Sequence, residues 1–509
     1  MVAAREGVRF RFGPAERPTF IGGLRHAQVA FLLVSVASAV VFLRVVGGQI
    51  GVGIAAALLL AGVSMAFGTV HGRPFDDWVP AASRWTLLVV AGKRRWHSTA
   101  PATGERGKRR TKKRKAKGAA TQRAGKPSPP PPVRDFQLVY TTVAGQPLGV
   151  LRDRKHKAWL AVVAVRGESF VLLDESEKTR RLASWAGIEA SMARQGSPIA
   201  RFQWLERTLP EIGDEMRAHF NQRSTADTPA RDSYAELLDE AQPVTQQHET
   251  FVVVQVSGNR AARAIKNAGG GDRGAVAVLY RELGHLQNQL RDAGLDSLGF
   301  LSGDQLATLL RTQFDPQVAL GLAERAKASE VPVVSARAAW PIATETFWGH
   351  YRTDEICHIT YWVQEWPRLG VAPSFLSPLL LGMNGVTRTV ALVAEPIPTA
   401  RAVKEIEHAQ TARMADDDMR ERAGYRTSAR RRREGEALDR REAELADGHA
   451  ECRYSGYVTI SGTNLTDVEQ AAAAIEQIAY QCPIELRRLW GEQDTAFYAT
   501  LPFTLGLRT

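Results

Sequence analysis

Two stretches near the start of the chain are apolar almost without interruption, AQVAFLLVSVASAVVFLRVV at 27–46 and IGVGIAAALLLAGVSMAFGTV at 50–70. Each is close to the roughly 20 residues needed to cross a hydrocarbon core, so the pattern predicts two transmembrane helices. Their connector, Gly47 to Gln49, has room only for a tight hairpin, which puts both outer ends on the same side. Two features argue against a cleaved signal peptide: the first span begins only after 26 polar or mixed residues, and a second span follows almost at once. A water-soluble pair of core helices is disfavoured by the length of the spans and their scarcity of charge.

Residues 78–96, WVPAASRWTLLVVAGKRRW, set Trp78, Trp85 and Trp96 among aliphatic residues and end in Lys-Arg-Arg. This is the composition of a helix lying in the membrane interface, with the three tryptophans as anchors. From Phe136 the texture changes. FQLVYTTV at 136–143, AWLAVVAV at 158–165 and SFVLLD at 169–174 read as strands, and Asp174 is placed to cap a helix carrying Leu182, Trp185, Ile188 and Met192. IARFQWL at 199–205 reads as a strand and the polar stretch 221–232 as a loop. A short helix, the strand TFVVVQV at 250–256 and a helix over about 272–292 follow.

The second half repeats the alternation, with strands at 355–363, 386–395, 452–462 and 484–490 and helices at 373–382 and 467–481. Between them a highly charged helical stretch, 398–447, reads as a protruding solvated hairpin. The expected class is α+β with ferredoxin-like elements. The expected domains are an N-terminal segment 1–26, a transmembrane hairpin 27–70, an interfacial segment 71–97, a linker 98–134, and α+β halves 135–330 and 331–509.

Charge sharpens this picture. The net charge of +12 is regional, because residues 1–134 hold 23 Lys+Arg against 5 Asp+Glu while the remainder is net acidic. Arginine and lysine flank the hairpin on both outer sides and only Arg44 lies near the turn, so both termini are expected in the cytoplasm of a cell-membrane protein. The densest run is Arg106, Lys108, Arg109, Arg110, Lys112, Lys113, Arg114, Lys115 and Lys117, followed by the stiff KPSPPPP at 126–132. Just beyond a membrane hairpin, such a run reads as a tether that meets anionic headgroups first. No aromatic interleaves it as a stacking platform, so nucleic acid is the less favoured ligand. Cys357, Cys452 and Cys482 stand far apart, which fits reduced thiols in a cytosolic domain.

The chain offers little chemistry. Gly92-Lys93, Gly107-Lys108 and Gly125-Lys126 are followed by Arg94, Arg109 and Pro127, so none forms a phosphate-cradling P-loop. NAGGGDRG at 267–274 precedes a helix but lacks the lysine. Glu355 and His358 have a ligand-like spacing, but on a strand that spacing points them to opposite faces. No catalytic, cofactor or metal site is expected.

The first 100 residues, with their hairpin, GRPFDDWV and KRRW, resemble the PrgI family of type IV secretion membrane subunits. Three passages further on, AGLDSLGFLSGDQLATLLRTQFDP at 293–316, RRRREGEALDRREAELADGHAECRYSGYVTISG at 430–462 and IELRRLWGEQDTAFYATLPFTLGL at 484–507, resemble the N-terminal domain of TraC-like conjugation ATPases. The resemblance implies a membrane scaffold of a type IV secretion-like machine. It would be a homo-oligomer that docks a separate secretion ATPase among other subunits, with Trp490, Phe497, Tyr498, Leu501 and Phe503 as the partner surface. The alternatives are an EccE-like component of a type VII secretion membrane complex, which also sets a two-span hairpin before a cytosolic α+β domain, and a membrane-tethered DNA-binding protein.

Overall fold

The computed structural model describes residues 26–70, 73–98, 129–167, 173–210, 220–221, 223, 228–241, 246–328, 334–367, 370–383, 385–422 and 429–507. Helices α1 (His26–Val46) and α2 (Gly48–Phe67) form the hairpin, turning at Gly47 and Gly48, whose positive φ angles suit residues without a Cβ. Small residues line the seam. Ala39, Ala55 and Ala66 are buried there, and a Cβ on Gly62 would collide with the Ser35 side chain, so the backbones approach closely. Leu33, Val34, Val41 and Leu60 point outward and are more than half exposed. Small inside and large apolar outside suits lipid, and both helices are long and apolar enough to cross a membrane. A ribbon of β1 (Thr69–Val70) and β2 (Arg73–Pro74) then leads to helix α3 (Phe75–Val90) and strand β3 (Arg95–His97).

The rest of the chain builds one sheet. Its first half holds β4 (Phe136–Val143), β5 (Gln146–Asp153), β6 (Ala158–Gly167), α4 (Glu175–Ala193), β7 (Ile199–Pro210), α5 (Pro229–Ala241), β8 (Gln246–Ser257), α6 (Ala262–Asn267), α7 (Gly271–Asp292), β9 (Leu295–Phe300), α8 (Gly303–Phe314) and α9 (Val318–Ala328). The second half holds β10 (Ala343–Thr346), β11 (Tyr351–Thr353), β12 (Ile356–Glu365), α10 (Ser377–Leu381), β13 (Thr387–Ile397), α11 (Thr399–Arg422), α12 (Ala429–Ala446), β14 (Glu451–Gly462), α13 (Leu465–Gln481), β15 (Glu485–Arg488) and α14 (Gln493–Ala499).

The strand order is β3-β10-β11-β12-β14-β13-β7-β8-β6-β5-β4, with β9 also on β6 and β15 also on β12. Every pairing is antiparallel. This order contains an internal repetition. Three strands are followed twice by the alternation helix, strand, helix, strand, helix, strand, helix, some of the helical steps being two helices, and β9-β6-β8-β7 in the first half corresponds to β15-β12-β14-β13 in the second. The two copies meet where β7 pairs β13, from Thr208 opposite Arg388 to Phe202 opposite Ala394. The class is α+β. The two halves separated in the sequence reading therefore share one continuous sheet, because β7 and β13 complete each other's backbone hydrogen bonding.

Side-chain alternation decides what each face buries. In β8, Phe251 and Val253 enter a core spanning both halves beneath α8, α14 and the C-terminal segment. Val252, Val254 and Val256 point the other way, under α4 and α7, and α13 covers the corresponding surface of the second half. A strand buried on both faces reads as a near-continuous apolar run, as Phe251 to Val254 do.

Several local expectations need correction. Strand β5 is an addition: QPLGVLRD lacks the alternation that marks exposed strands because four of its consecutive residues, Leu148 to Leu151, are buried. Helix α10 occupies only five residues of the predicted 373–382. Helix α5 begins at Pro229, inside the predicted loop 221–232. The charged stretch 398–447, read as a helical hairpin, needs no such change: it holds two helices, linked by a hydrogen bond from Gln410 to Glu442 at 2.7 Å. Residues 169–172 of the predicted strand SFVLLD lie outside the described residues, as do 1–25 and the entire basic run from Arg106 to Lys117.

The linker changes meaning. Before it, β3 pairs with β10 and Ser98 N–H donates to the Ile342 carbonyl at 2.7 Å. After it, Val133 is fully buried in the shared core. The described residues on the two sides of 99–128 thus belong to the same sheet domain, so this stretch does not tether that domain to the membrane. The connection to the hairpin runs through α3.

Candidate functional site

Helix α3 is held against the second half of the sheet domain by a ladder of charges and rings. Asp77, Trp78, Ala81, Arg84, Trp85 and Leu88 recur at helical spacing, and Ala81 is buried. Arg84 reaches Asp494 with both ends of its guanidinium, at 2.9 and 2.7 Å, and its Nη1 also donates to the Gly491 carbonyl at 3.3 Å. Burial alone would lower the Arg84 pKa, but the hydrogen bond and charge of Asp494 outweigh it and the net shift is upward. Asp494 lies in the first turn of α14, where the free backbone N–H groups favour a carboxylate.

Two turns back along α3, Arg487 donates to Asp77 at 3.1 Å. Between these ion pairs the ring of Trp348 stacks on Trp78 at 5.9 Å and meets Trp85 edge-on at 5.6 Å. The Trp348 carbonyl accepts from Gly491 N–H at 2.7 Å, with Gly491 in a left-handed turn (φ 74°), which draws the 347–350 loop and the Asp494 helix to one spot. Beyond α3, Arg94 lies over Trp85 at 4.9 Å and its Nε donates to the Thr346 carbonyl at 3.0 Å. Arg95 pairs with the mostly buried Glu345 at 2.7 Å as β3 joins β10.

Trp78 and Trp85 thus face the sheet domain, which corrects their reading as lipid anchors; Trp96 is half-buried on β3. Their seven-residue spacing, shared by Asp77 and Arg84, signals one face of a helix. What that face would meet was not legible, since Trp348, Arg487 and Asp494 come from distant stretches of sequence.

The predicted partner surface at the C-terminal end belongs instead to the core of this chain. Phe497, Tyr498, Leu501 and Phe503 are all at most 1% exposed. Phe497 and Tyr498 pack on Phe314 at 5.8 and 6.0 Å, and Phe503 packs on Phe136 at 4.8 Å. Trp490 is half-buried beneath the Arg488 guanidinium, 4.2 Å from its ring centroid. The segment closes over both halves: Thr504 N–H donates to the Gln203 side chain at 2.9 Å, and the Tyr457 hydroxyl donates to the Gly506 carbonyl.

Among the described residues no group of three potential metal ligands occurs. The three cysteines are free thiols. His358 is fully buried between Thr353 and Ser461, at 2.7 and 2.8 Å, and burial pushes its pKa down to about 3, which makes it a neutral core residue. At the N-terminus of α7 the Gly-rich loop leads into Asp272, which pairs with Arg152 at 2.7 Å and accepts from Trp159 at 3.1 Å, so a side-chain carboxylate already supplies negative charge in that first turn.

The arrangement is that of a membrane hairpin fastened to a duplicated α+β sheet domain. Residues 244–363, less than a quarter of the chain, match the family model described as putative type VII ESX secretion system translocon, EccE. No curated protein matches the chain. The family match supports a secretion-system component that works with other subunits in a membrane complex, and the two apolar helices point to a membrane location. It lends nothing to the PrgI-like and TraC-like assignment. The matched stretch runs from β8 through most of β12 and so includes Trp348 and the β10–β11 hairpin that receive the juxtamembrane segment.

Proposed function

We propose that this chain is a membrane-anchored structural subunit of a type VII-like secretion complex, with no catalytic activity of its own. One observation carries the reading: the sequence similar to the EccE family contains the surface on which α3 and β3 dock, so family resemblance and membrane hairpin converge on one junction. This favours the type VII reading over the type IV scaffold, whose support is a PrgI-like N-terminal region and three loose sequence passages. All three, at 293–316, 430–462 and 484–507, include core-forming segments of this sheet domain.

In this reading each half is a ferredoxin-like unit, an assignment supported by the orders β9-β6-β8-β7 and β15-β12-β14-β13. The arginine distribution argues for both hairpin ends on the cytoplasmic side. The energy for transport is supplied by a separate ATPase subunit of the complex. The basic run is assigned to anionic headgroups, because Ser98 belongs to the junction and Arg106 follows eight residues later, within roughly 28 Å at about 3.5 Å per residue.

Deletion of the gene in its native host tests the proposal. Export of type VII substrates should stop while conjugative DNA transfer continues, and full-length protein should restore export. Unimpaired export with lost conjugation would reverse the choice between the two machines.

A further inference from the structure

Helix α3 carries its charge and its apolar surface the wrong way round for a helix facing water. Between Trp78 and Val90 the only charged residue is Arg84, and it points into the sheet domain against Asp494. The opposite face holds Val79, Leu87 and Val90, which are 51%, 69% and 80% exposed, flanked by Val89 at 44% and the small polar Ser83 and Thr86. A helix docked on a cytosolic domain ordinarily buries its apolar face and turns its charges outward. Here the ion pairs and tryptophans serve the protein contact, and from Val79 onward the open face carries no charge.

From this inversion we infer that the outward face of α3 lies in the bilayer, at the headgroup–acyl boundary of the leaflet where α2 ends. The occupant follows from continuity. Helix α2 ends at Phe67 and α3 begins at Phe75, with Phe75 N–H donating to the Gly68 carbonyl at 3.3 Å. The Phe75 ring lies where a Cβ on Gly68 would come within 2.9 Å, so the two helices join without slack. The start of α3 is therefore held at the membrane exit. A row of Val79, Leu87 and Val90 held there meets lipid before any soluble partner, and inserts only shallowly because the other face is occupied by protein. Helix α3 becomes a two-sided wedge: one face grips Trp348, Arg487 and Asp494, the other grips the leaflet. The sheet domain is then fixed in one orientation against the membrane, with its β10 edge and α14 nearest the bilayer.

The inference rests on α1 and α2 being membrane spans, and the test separates the two. Full-length protein with Cys357 and Cys482 replaced by Ala and Cys452 by Ser is reconstituted in phosphatidylglycerol-containing nanodiscs. Single cysteines at Leu87, Val90, Val40 in α1 and Tyr480 on the exposed side of α13 each carry an environment-sensitive fluorophore. Quenching by iodide reports water, and quenching by lipids doxyl-labelled at shallow or deep acyl positions reports depth. Labels at 87 and 90 should resist iodide like the Val40 label and respond most to shallow doxyl groups, while the Tyr480 label responds to iodide alone. If the 87 and 90 labels quench like Tyr480 while Val40 remains in lipid, the spans stand and the wedge is overturned. If Val40 also quenches like Tyr480, both fall.

Discussion

Replacing Arg84 with Ala should loosen the membrane junction without unfolding the sheet domain. The substitution removes a two-point ion pair and a third hydrogen bond to the Gly491 carbonyl, and it leaves Asp494, whose side chain is 9% exposed, without its Arg84 partner. Breaking a fully buried pair costs about 3–5 kcal/mol, and hydrogen bonds to charged groups contribute about 1.5–3 kcal/mol. Arg84 keeps a third of its side chain in solvent, so screening brings the expectation to about 2 kcal/mol. If undocking also frees β3 from β10, that loss corresponds to roughly 30-fold faster amide exchange through local opening. Hydrogen exchange on the full-length protein in nanodiscs would read it at residues 94–98 and 343–346, with the amides of β8 as an internal reference. Asp494→Ala should act similarly, and the double variant should lose less than the sum, with a coupling of about 1–2 kcal/mol. Unchanged exchange at β3 and β10, or strictly additive losses, would refute the claim that this pair fastens α3. Equal acceleration in β8 would show global destabilisation instead.

Trp348→Ala should open the same junction by about 2–3 kcal/mol through loss of ring contacts with Trp78 and Trp85, and Trp348→Phe by less; protease cleavage at 91–98 measures it. His358 stays neutral in the fold, with its pKa held near 3, whereas the unfolded chain takes up a proton near pH 6.5. Its contribution is complete above about pH 6.5 and is lost on acidification toward 3 at about 1.4 kcal/mol per unit, so melting of His358→Gln should fall less steeply with pH than wild type. Equal slopes would contradict the buried neutral histidine. A reporter inserted at Gly48 should lie across the membrane from one fused after Thr509, because the hairpin returns the chain to its starting side. Purified protein should release no phosphate from ATP above background, since no Gly-Lys-Ser/Thr loop exists to hold it.

The elements governed by local pattern were legible in the amino acids alone. An uninterrupted apolar run specifies a membrane-length helix, and alternating or doubly buried β-branched runs specify strands such as β4, β6, β8 and β13, with little reference to the rest of the chain. Asp174 caps α4 as read, its carboxylate accepting from Glu177 N–H, because capping depends on neighbours three residues apart. Strand β5 escaped notice because burial on both faces removes the period-two signal, and only the neighbouring strands and α8 reveal it. The seven-residue spacing of Trp78 and Trp85 announced a helical face, but an aromatic ring suits a lipid headgroup or another tryptophan equally well. Trp348, Arg487 and Asp494 decide between them, and they reach that face only because β10, β15 and α14 assemble on the edge of the sheet. Likewise Phe497, Tyr498 and Phe503 carry the same chemistry whether they anchor a partner or a core. The closing of the C-terminal segment over both halves, an arrangement of residues hundreds of positions apart, makes them core.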